Sequence, residues 1–387
     1  MAVEGKDQEK QQAALPDVGG GQGDGGLAQG LPLPLPVGVE ASRTLVQTSA
    51  RSGNVLQDRF GRVCDYLRIA VTDRCNLRCI YCMPEAGIRF APPEKLIRRD
   101  EILRVVRVAS DLGVRKIRFT GGEPLLRRDI VAIVAGTTEI PGIETVHLTT
   151  NGVLLPQLAE ALLEAGLHGV NISLDTLDPQ RFRMCTRRGG IEKVLAGLEK
   201  VLELGFPSIK VNVVALRGFN DNEFHAFAGL TRESSLTVRF IELMPFDANQ
   251  IWRSGRFVST RNLMIRFKEL YPLCEVKTGS ATEHQVFRIP GHTGRIAFIP
   301  SYSRSFCSSC TRIRLTADGQ LRNCLYSETE YGLLPALRSG GTDEDLVQIL
   351  KQAMWEKLEN GRVAQQEARR RQGPDSWTRE SMTQIGG

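Results

Sequence analysis

No stretch of this sequence approaches the roughly 18 consecutive apolar residues of a membrane span, so no membrane association is expected. Histidine is scarce, at five in 387 residues, and none stands in a motif suited to a general base. No excess of one charge marks the chain. Lys and Arg number 50 against 44 Asp and Glu, and a net charge of +6 fits an anionic small molecule as well as nucleic acid. No secretory signal is evident. With nine cysteines, that points to a reducing, cytoplasmic setting, where thiols bind metal rather than pair. The hydrophobic share of 41% and charged share of 24% are ordinary, and the length suits one large or two modest domains.

Residues 1–55 lack hydrophobic periodicity and read as a disordered leader. Gly19 to Gly26 satisfies a loose GxGxxG pattern, but without a strand before it or a helix after it no phosphate loop is expected. Leu31-Pro32-Leu33-Pro34-Leu35-Pro36 favours an extended polyproline conformation. Glu4, Asp7 and Glu9 argue against an organellar transit peptide.

From residue 61 to about 273, apolar β-branched runs recur at 66–71, 116–120, 145–149, 170–174, 209–216 and 237–243. Helix-period segments separate them. In one, Ile191, Val194, Leu195, Leu198, Val201 and Leu202 are expected on a single face. Such alternation predicts a parallel α/β sheet with right-handed crossovers, either doubly wound or a partial barrel.

Cys75, Cys79 and Cys82 place three thiols in eight residues directly after the first strand. Structural zinc closes its shell with four ligands, whereas three thiolates on a four-iron cluster leave one iron open. A second trio, Cys307, Cys310 and Cys324, follows the barrel-like region, and His284 and His292 offer no local spacing to complete it. Cys64, Cys185 and Cys274 read as core residues. The second strand ends in Thr120-Gly121-Gly122-Glu123-Pro124, where paired glycines permit a close backbone approach. Arg68, Arg118, Lys210 and Arg239 interrupt apolar strands, and buried cations need acidic partners or an anionic ligand. Arg312 and Arg314 would share a face if their segment is a strand.

Cys75, Cys79, Tyr81 and Cys82 resemble the signature of the radical S-adenosylmethionine (SAM) enzymes. With Phe60-Gly61, Arg118, the Gly121–Pro124 turn, the run from Arg239 to Pro245, the second cysteine trio and the closing Ile385-Gly386-Gly387, the pattern is similar to the GTP 3′,8-cyclase family of molybdenum-cofactor biosynthesis. The resemblance implies an open, partial TIM-type (βα)6 radical SAM barrel over 56–275. A C-terminal region, 276–387, would carry a second Fe–S cluster and a diglycine tail.

It also implies two [4Fe-4S] clusters, one on each cysteine trio. Tyr81, Gly122, Ser173 and Met244 would contact SAM, and Arg68, Arg118, Thr149, Lys210, Arg312 and Arg314 would surround GTP. The tail glycines Gly386 and Gly387 would reach the site, with no side chain acting as acid or base. An external one-electron donor and a downstream cyclic pyranopterin monophosphate synthase would be partners of a monomer or homodimer, without nucleic acid. One departure is Ser381-Met382-Thr383, where many relatives carry Pro-Met. Another radical SAM enzyme with an auxiliary cluster, such as a peptide modifier, or a zinc-stabilised nucleic-acid module would be the alternatives.

Overall fold

The computed structural model describes residues 55–244, 254–276, 285–303, 307–372, 379 and 381–386. The expected leader, apart from Val55, lies outside the described residues, as do Pro245, His284 and Gly387. No helix among the described residues is long and apolar enough to cross a membrane.

Six strands run parallel in sequence order: β1 (Tyr66–Ala70), β2 (Lys116–Thr120), β3 (Thr145–Thr150), β4 (Gly169–Ser173), β5 (Ile209–Ala215) and β6 (Thr237–Glu242). The helices between them are α1 (Arg99–Asp111), α2 (Ile130–Thr138), α3 (Leu155–Glu164), α4 (Pro179–Thr186), α5 (Ile191–Glu203) and α6 (Phe224–Gly229), with α7 (Thr260–Leu270) after β6. Past α7 come β7 (Cys274–Glu275), β8 (Gln285–Arg288), β9 (Arg295–Ile299), β10 (Arg312–Leu315), β11 (Gln320–Arg322) and β12 (Tyr331–Gly332). Three helices close the chain: α8 (Leu334–Arg338), α9 (Asp343–Trp355) and α10 (Gly361–Gln372).

The sheet order is β12-β11-β10-β1-β2-β3-β4-β5-β6-β9-β8-β7. C-terminal strands therefore extend both edges of the six-stranded core: β10 lies parallel to β1 and β9 parallel to β6. Among the described residues the two outermost strands, β12 and β7, do not pair, and the sheet is open.

The two faces of the sheet differ in chemistry. Leu67, Ile69, Ile117, Phe119, Val146, Leu148, Val170, Ile172, Val211, Val213, Val238 and Phe240 are fully buried within the main hydrophobic core. Phe240 packs edge-on to Phe224 at 5.1 Å and against Phe267 at 5.0 Å, and truncating such a ring costs about 3–5 kcal/mol. The alternate positions carry polar and charged side chains, unlike parallel strands covered by helices on both faces. That second face lines the interior.

Helix α5 buries Ile191, Val194, Gly197, Leu198 and Val201, while Leu195 is exposed. The expected apolar face is thus rotated toward Gly197. A Cβ there would come within 2.7 Å of the Gly152 carbonyl and 2.9 Å of Leu155, so the close approach of α5 to α3 turns Leu195 outward. Cys64 and Cys185 are buried as expected, but Cys274 is exposed, because its short strand lies at the sheet edge.

Candidate functional site

The first cysteine loop folds back over the ends of β1 and β2. Gly122 N–H donates to the Thr72 carbonyl at 2.8 Å and Glu123 N–H to that of Arg74 at 2.7 Å. A Cβ on Gly121 would lie 2.3 Å from the Thr72 oxygen, and one on Gly122 2.1 Å from the Arg74 oxygen. The paired glycines therefore admit the loop's own backbone, and Gly121, at φ +146°, adopts a conformation that L side chains avoid.

Glu123 ties this turn to the next strand. Its carboxylate accepts from Leu125 N–H at 3.0 Å, Thr150 Oγ1 at 2.6 Å and Asn151 N–H at 2.7 Å. Burial pushes Glu123 up to about 7 against the pull of those three bonds. Asn151 in turn donates to Asn76 Oδ1 at 2.7 Å and reaches Cys75 Sγ at 3.8 Å.

The far side of the loop rests on the end of α4. Tyr81 donates to Asp175 Oδ2 at 2.5 Å, and Ile80 N–H to the Cys185 carbonyl at 2.9 Å. Arg187, the sole left-handed non-glycine among the described residues, donates to the carbonyls of Arg78 and Met83 at 3.2 and 3.0 Å. Burial pushes Cys75 to about 11, Cys82 to about 12, and Cys79 well above the usual thiol range. These sulfurs keep their protons until a metal displaces them.

Cys307 and Cys310 bracket a tight turn, with Cys310 N–H donating to the Cys307 carbonyl at 3.2 Å, and Cys324 follows β11. Lys357, only 2% exposed, lies 3.5 Å from Cys310 Sγ. Burial raises the Cys310 thiol, but Lys357 and Arg312 outweigh it and the net shift is downward. Gly361 N–H donates to Cys307 Sγ at 3.2 Å. Arg62, held by Asp58 at 2.5 Å, donates to the carbonyls of Cys307 and Glu359 at 2.7 Å and of Leu358 at 2.8 Å. That buried guanidinium fixes both backbone segments around the trio.

Within each trio the thiols feel one another's charge, Cys79 that of Cys82 and Cys75, and Cys324 that of Cys310 and Cys307. Yet among the described residues no three His, Cys, Asp or Glu side chains converge closely enough for a single ion. Each trio has a further buried thiol beside it, Cys185 near Cys79 and Cys64 near Cys310, and three thiolates of either group would suit a four-iron cluster with one iron open.

Between the trios lies the polar face of the sheet. Arg314 of β10, Arg68 of β1, Arg118 of β2 and His147 of β3 stand side by side in one register row. One step toward the strand starts, Arg312, Tyr66, Lys116 and Thr145 form a second row. Thr149, Asn171 and Lys210 make a third across β3–β5, and Arg239 Nε donates to Asn212 Oδ1 at 2.8 Å. Arg118 also donates to the Tyr66 hydroxyl and to Thr149 Oγ1 at 3.4 Å. Burial, then Arg68 and Arg312, hold the Arg314 guanidinium well below its ordinary range. A sheet face that carries this many cations in adjacent register positions suits a polyanion.

Ser173 ends β4 beside Asn212, and Met244 follows β6, both partly buried at the carboxyl ends of the strands. The Gly386 carbonyl accepts from Arg314 Nη1 at 2.5 Å. The structure therefore brings the tail against one member of the cationic row.

Comparison with known proteins agrees with this layout. Residues 69–231 match the Radical SAM superfamily model and residues 236–363 the Molybdenum Cofactor Synthesis C model. A GTP 3′,8-cyclase of Chlorobaculum tepidum is 46% identical over 335 residues, covering 86% of this chain and 97% of that protein. The chain belongs to the GTP 3′,8-cyclase family. It is a radical SAM enzyme of molybdenum-cofactor synthesis. A second GTP 3′,8-cyclase, from Desulforamulus reducens, is 42% identical and covered over 99% of its length. Molybdenum cofactor biosynthesis protein 1 of Mus musculus is 42% identical over 344 residues, covering 86% of this chain and 54% of that protein.

Three further residues lie on the same polar face as the expected substrate set. Lys116 lies two residues before Arg118 on the same face, a period-2 signal that was available. Arg239 was noticed only as a charge in a strand. Nothing in the sequence singles out His147. In the cyclase fold it is 7% exposed, its Nδ1 has no hydrogen-bond partner, and it faces Gly169, where a Cβ would come within 2.7 Å of Nδ1. Burial, then Arg118, Lys116 and Lys210, push it down to about 2, so the imidazole is neutral at any working pH.

Proposed function

We propose that the interior holds GTP between two iron–sulfur clusters, with the cluster on Cys75, Cys79 and Cys82 serving SAM and that on Cys307, Cys310 and Cys324 serving the guanine base. The single observation that carries this reading is the row Arg314–Arg68–Arg118, set between the two cysteine trios. On this reading residues 56–275 carry the SAM chemistry and 276–387 the second cluster.

A cluster held by Cys75, Cys79 and Cys82 would supply one electron to SAM and so a 5′-deoxyadenosyl radical able to take the ribose C3′ hydrogen; bonding of C3′ to C8, with one further electron and a proton, would give 3′,8-cyclo-7,8-dihydro-GTP. The chain's own part is position. Arg68, Arg118, Lys210, Arg312 and Arg314, joined by Lys116 and Arg239, hold the triphosphate, and Thr149 braces Arg118. Tyr81, Gly122, Ser173 and Met244 frame SAM at the strand ends, with Tyr81 oriented by Asp175. Clamping both ends of the nucleotide keeps C3′, rather than protein hydrogens, in front of the radical. Neutral His147 can donate or accept one hydrogen bond but carries no proton to transfer as an acid. An external one-electron donor, a cytoplasmic setting and a downstream cyclic pyranopterin monophosphate synthase complete the reading, with the enzyme a monomer or homodimer.

The test is anaerobic incubation of the full chain with GTP, SAM and a reductant, reading 5′-deoxyadenosine and the cyclised nucleotide. Arg312→Ala and Arg314→Ala are expected to reduce turnover with iron content unchanged. Intact turnover in both would remove the clamp, and deoxyadenosine formation indifferent to GTP would remove the substrate assignment.

A further inference from the structure

Strands β9 and β10 flank the parallel core on opposite sides and point the same way, so the chain between them has to change ends. Strand β9 pairs with β6 and finishes at Ile299, level with Ile241 at the carboxyl ends. Strand β10 pairs with β1 and begins at Arg312, level with Tyr66 at the strand starts. Pro300 to Thr311 join the two and bring Cys307 and Cys310 to the start of β10. Buried charged side chains tie both ends of this connection. Arg62 holds the far end through the Cys307 carbonyl at 2.7 Å. Glu242, the last residue of β6, is fully buried and holds the near end. Its Oε2 accepts from Tyr302 N–H at 2.9 Å and Ser303 N–H at 2.7 Å, and its Oε1 from Ser303 Oγ at 2.6 Å. The Glu242 carbonyl accepts from Ser301 Oγ at 2.8 Å. Thr260, the first residue of α7, adds its N–H at 2.8 Å and Oγ1 at 3.1 Å to Oε1. A buried carboxylate is costly unless donors fill its lone pairs, and here most of those donors come from the connection.

We propose that Glu242 is a positioning residue that fixes the end of β6 against the approach to the second cysteine trio, and so keeps radical formation in step with cyclisation. The inference rests on the proposed placement of SAM beside Met244 and of the guanine base at Cys307, Cys310 and Cys324. Glu242 touches neither molecule. It acts through Met244, two residues on, and through Ser301, Tyr302 and Ser303, which lead toward Cys307. Cleavage of SAM needs only SAM and the first cluster in place. Abstraction at C3′ also needs the nucleotide at the right distance, and a misplacement of about 1 Å caused far from the chemistry can cost about a hundredfold. Loosening this tie should therefore spare the first event and harm the second. An amide offers one acceptor oxygen where the carboxylate has two. Glu242→Gln must then leave at least one backbone N–H, of Thr260 or of the Tyr302–Ser303 pair, facing an NH2 group.

The experiment has two readouts on the anaerobically reconstituted full chain. Hydrogen exchange of the resting protein reads the tie itself: amides of residues 301–303 are expected to exchange about tenfold faster in Glu242→Gln and in the double variant Ser301→Ala with Ser303→Ala. Turnover with GTP, SAM and a reductant then counts 5′-deoxyadenosine against cyclised nucleotide, with ~1 of each expected from the wild type. In both variants the cyclised nucleotide is expected to fall about tenfold while deoxyadenosine falls less than about twofold. The serine pair leaves the carboxylate in place, so it carries the test if the glutamine variant fails to fold. Thr260→Val, which removes only the hydroxyl of α7, is expected to keep the wild-type ratio. A purely structural role would lower iron content and both products in proportion. Proportional loss, an unchanged ratio, or unchanged exchange at 301–303 in the serine pair overturns the role of Glu242 alone. Deoxyadenosine formed by the wild type regardless of GTP, with no cyclised nucleotide, overturns the proposed site and the role of Glu242 together.

Discussion

Arg68 stands between Arg314 and Arg118 in one register row, so replacing it by methionine tests whether this fold trades stability for substrate. Neighbouring strands are about 4.8 Å apart. Guanidinium groups splayed to about 6 Å repel by about 3 kcal/mol per neighbour at an effective dielectric of 20. Nearby hydroxyls and counterions absorb part of this, leaving about 2 kcal/mol as the expected net gain for Arg68→Met in the nucleotide-free protein. For a chain of this size that is a rise of several degrees in Tm. The same change should weaken GTP. Wild type at a hundredfold excess over Kd gains about 2.7 kcal/mol. Losing one charge-assisted contact weakens Kd about tenfold and halves that gain to about 1.4 kcal/mol. Differential scanning fluorimetry of oxygen-free protein, with and without GTP, reads both effects. A variant that melts below wild type and keeps the full GTP shift would refute the idea of a row held against its own repulsion.

Below pH 6.5 the unfolded chain protonates its histidine while buried His147, at about 2, stays neutral, so the unfolded state binds more protons and stability falls with pH. At pH 4.5 the loss is about 2.7 kcal/mol, and His147→Gln is expected to abolish that slope in urea titrations; parallel slopes would sink the assignment. Glu123→Ala strands the donors of Leu125, Thr150 and Asn151, at about 1–3 kcal/mol each, and should lower both the urea midpoint and the iron retained per chain. Gly386→Ala should hasten proteolysis of the tail and reduce turnover while leaving global melting within about a degree, since the strain is local to the chain end. Cys324→Ser should remove about half the iron yet leave reductive cleavage of SAM measurable.

The six core strands were legible because each buries one face in helices. The runs expected at 116–120, 145–149 and 209–216 appear as Lys116–Thr120, Thr145–Thr150 and Ile209–Ala215. Cys75, Cys79 and Cys82 could be picked out as candidates because their spacing is local. What the chain order hid were pairings between distant segments. Nothing near Arg312 announces that it will lie beside Tyr66, nor does Arg295 announce Thr237. For the same reason the common level of Arg314, Arg68 and Arg118 emerges only once register is known. Leu195 was misread because a helical stripe has edges, and the neighbour that decides which edge is covered, α3, is not in the stripe. Cys274 was misread because a thiol's burial depends on whether its strand has an outer neighbour.

The sheet order also dictates a timetable. Strand β1 leaves the ribosome first yet receives its outer partner β10 only after β2 to β9 have been made. Until then the nascent sheet presents a bare row of amides and carbonyls beside the first cysteine loop, the kind of edge that invites pairing with a stranger. Iron loaded during translation would therefore enter a vestibule still lacking one wall, and a chain cut short before β10 would be prone to stick to its neighbours rather than merely idle.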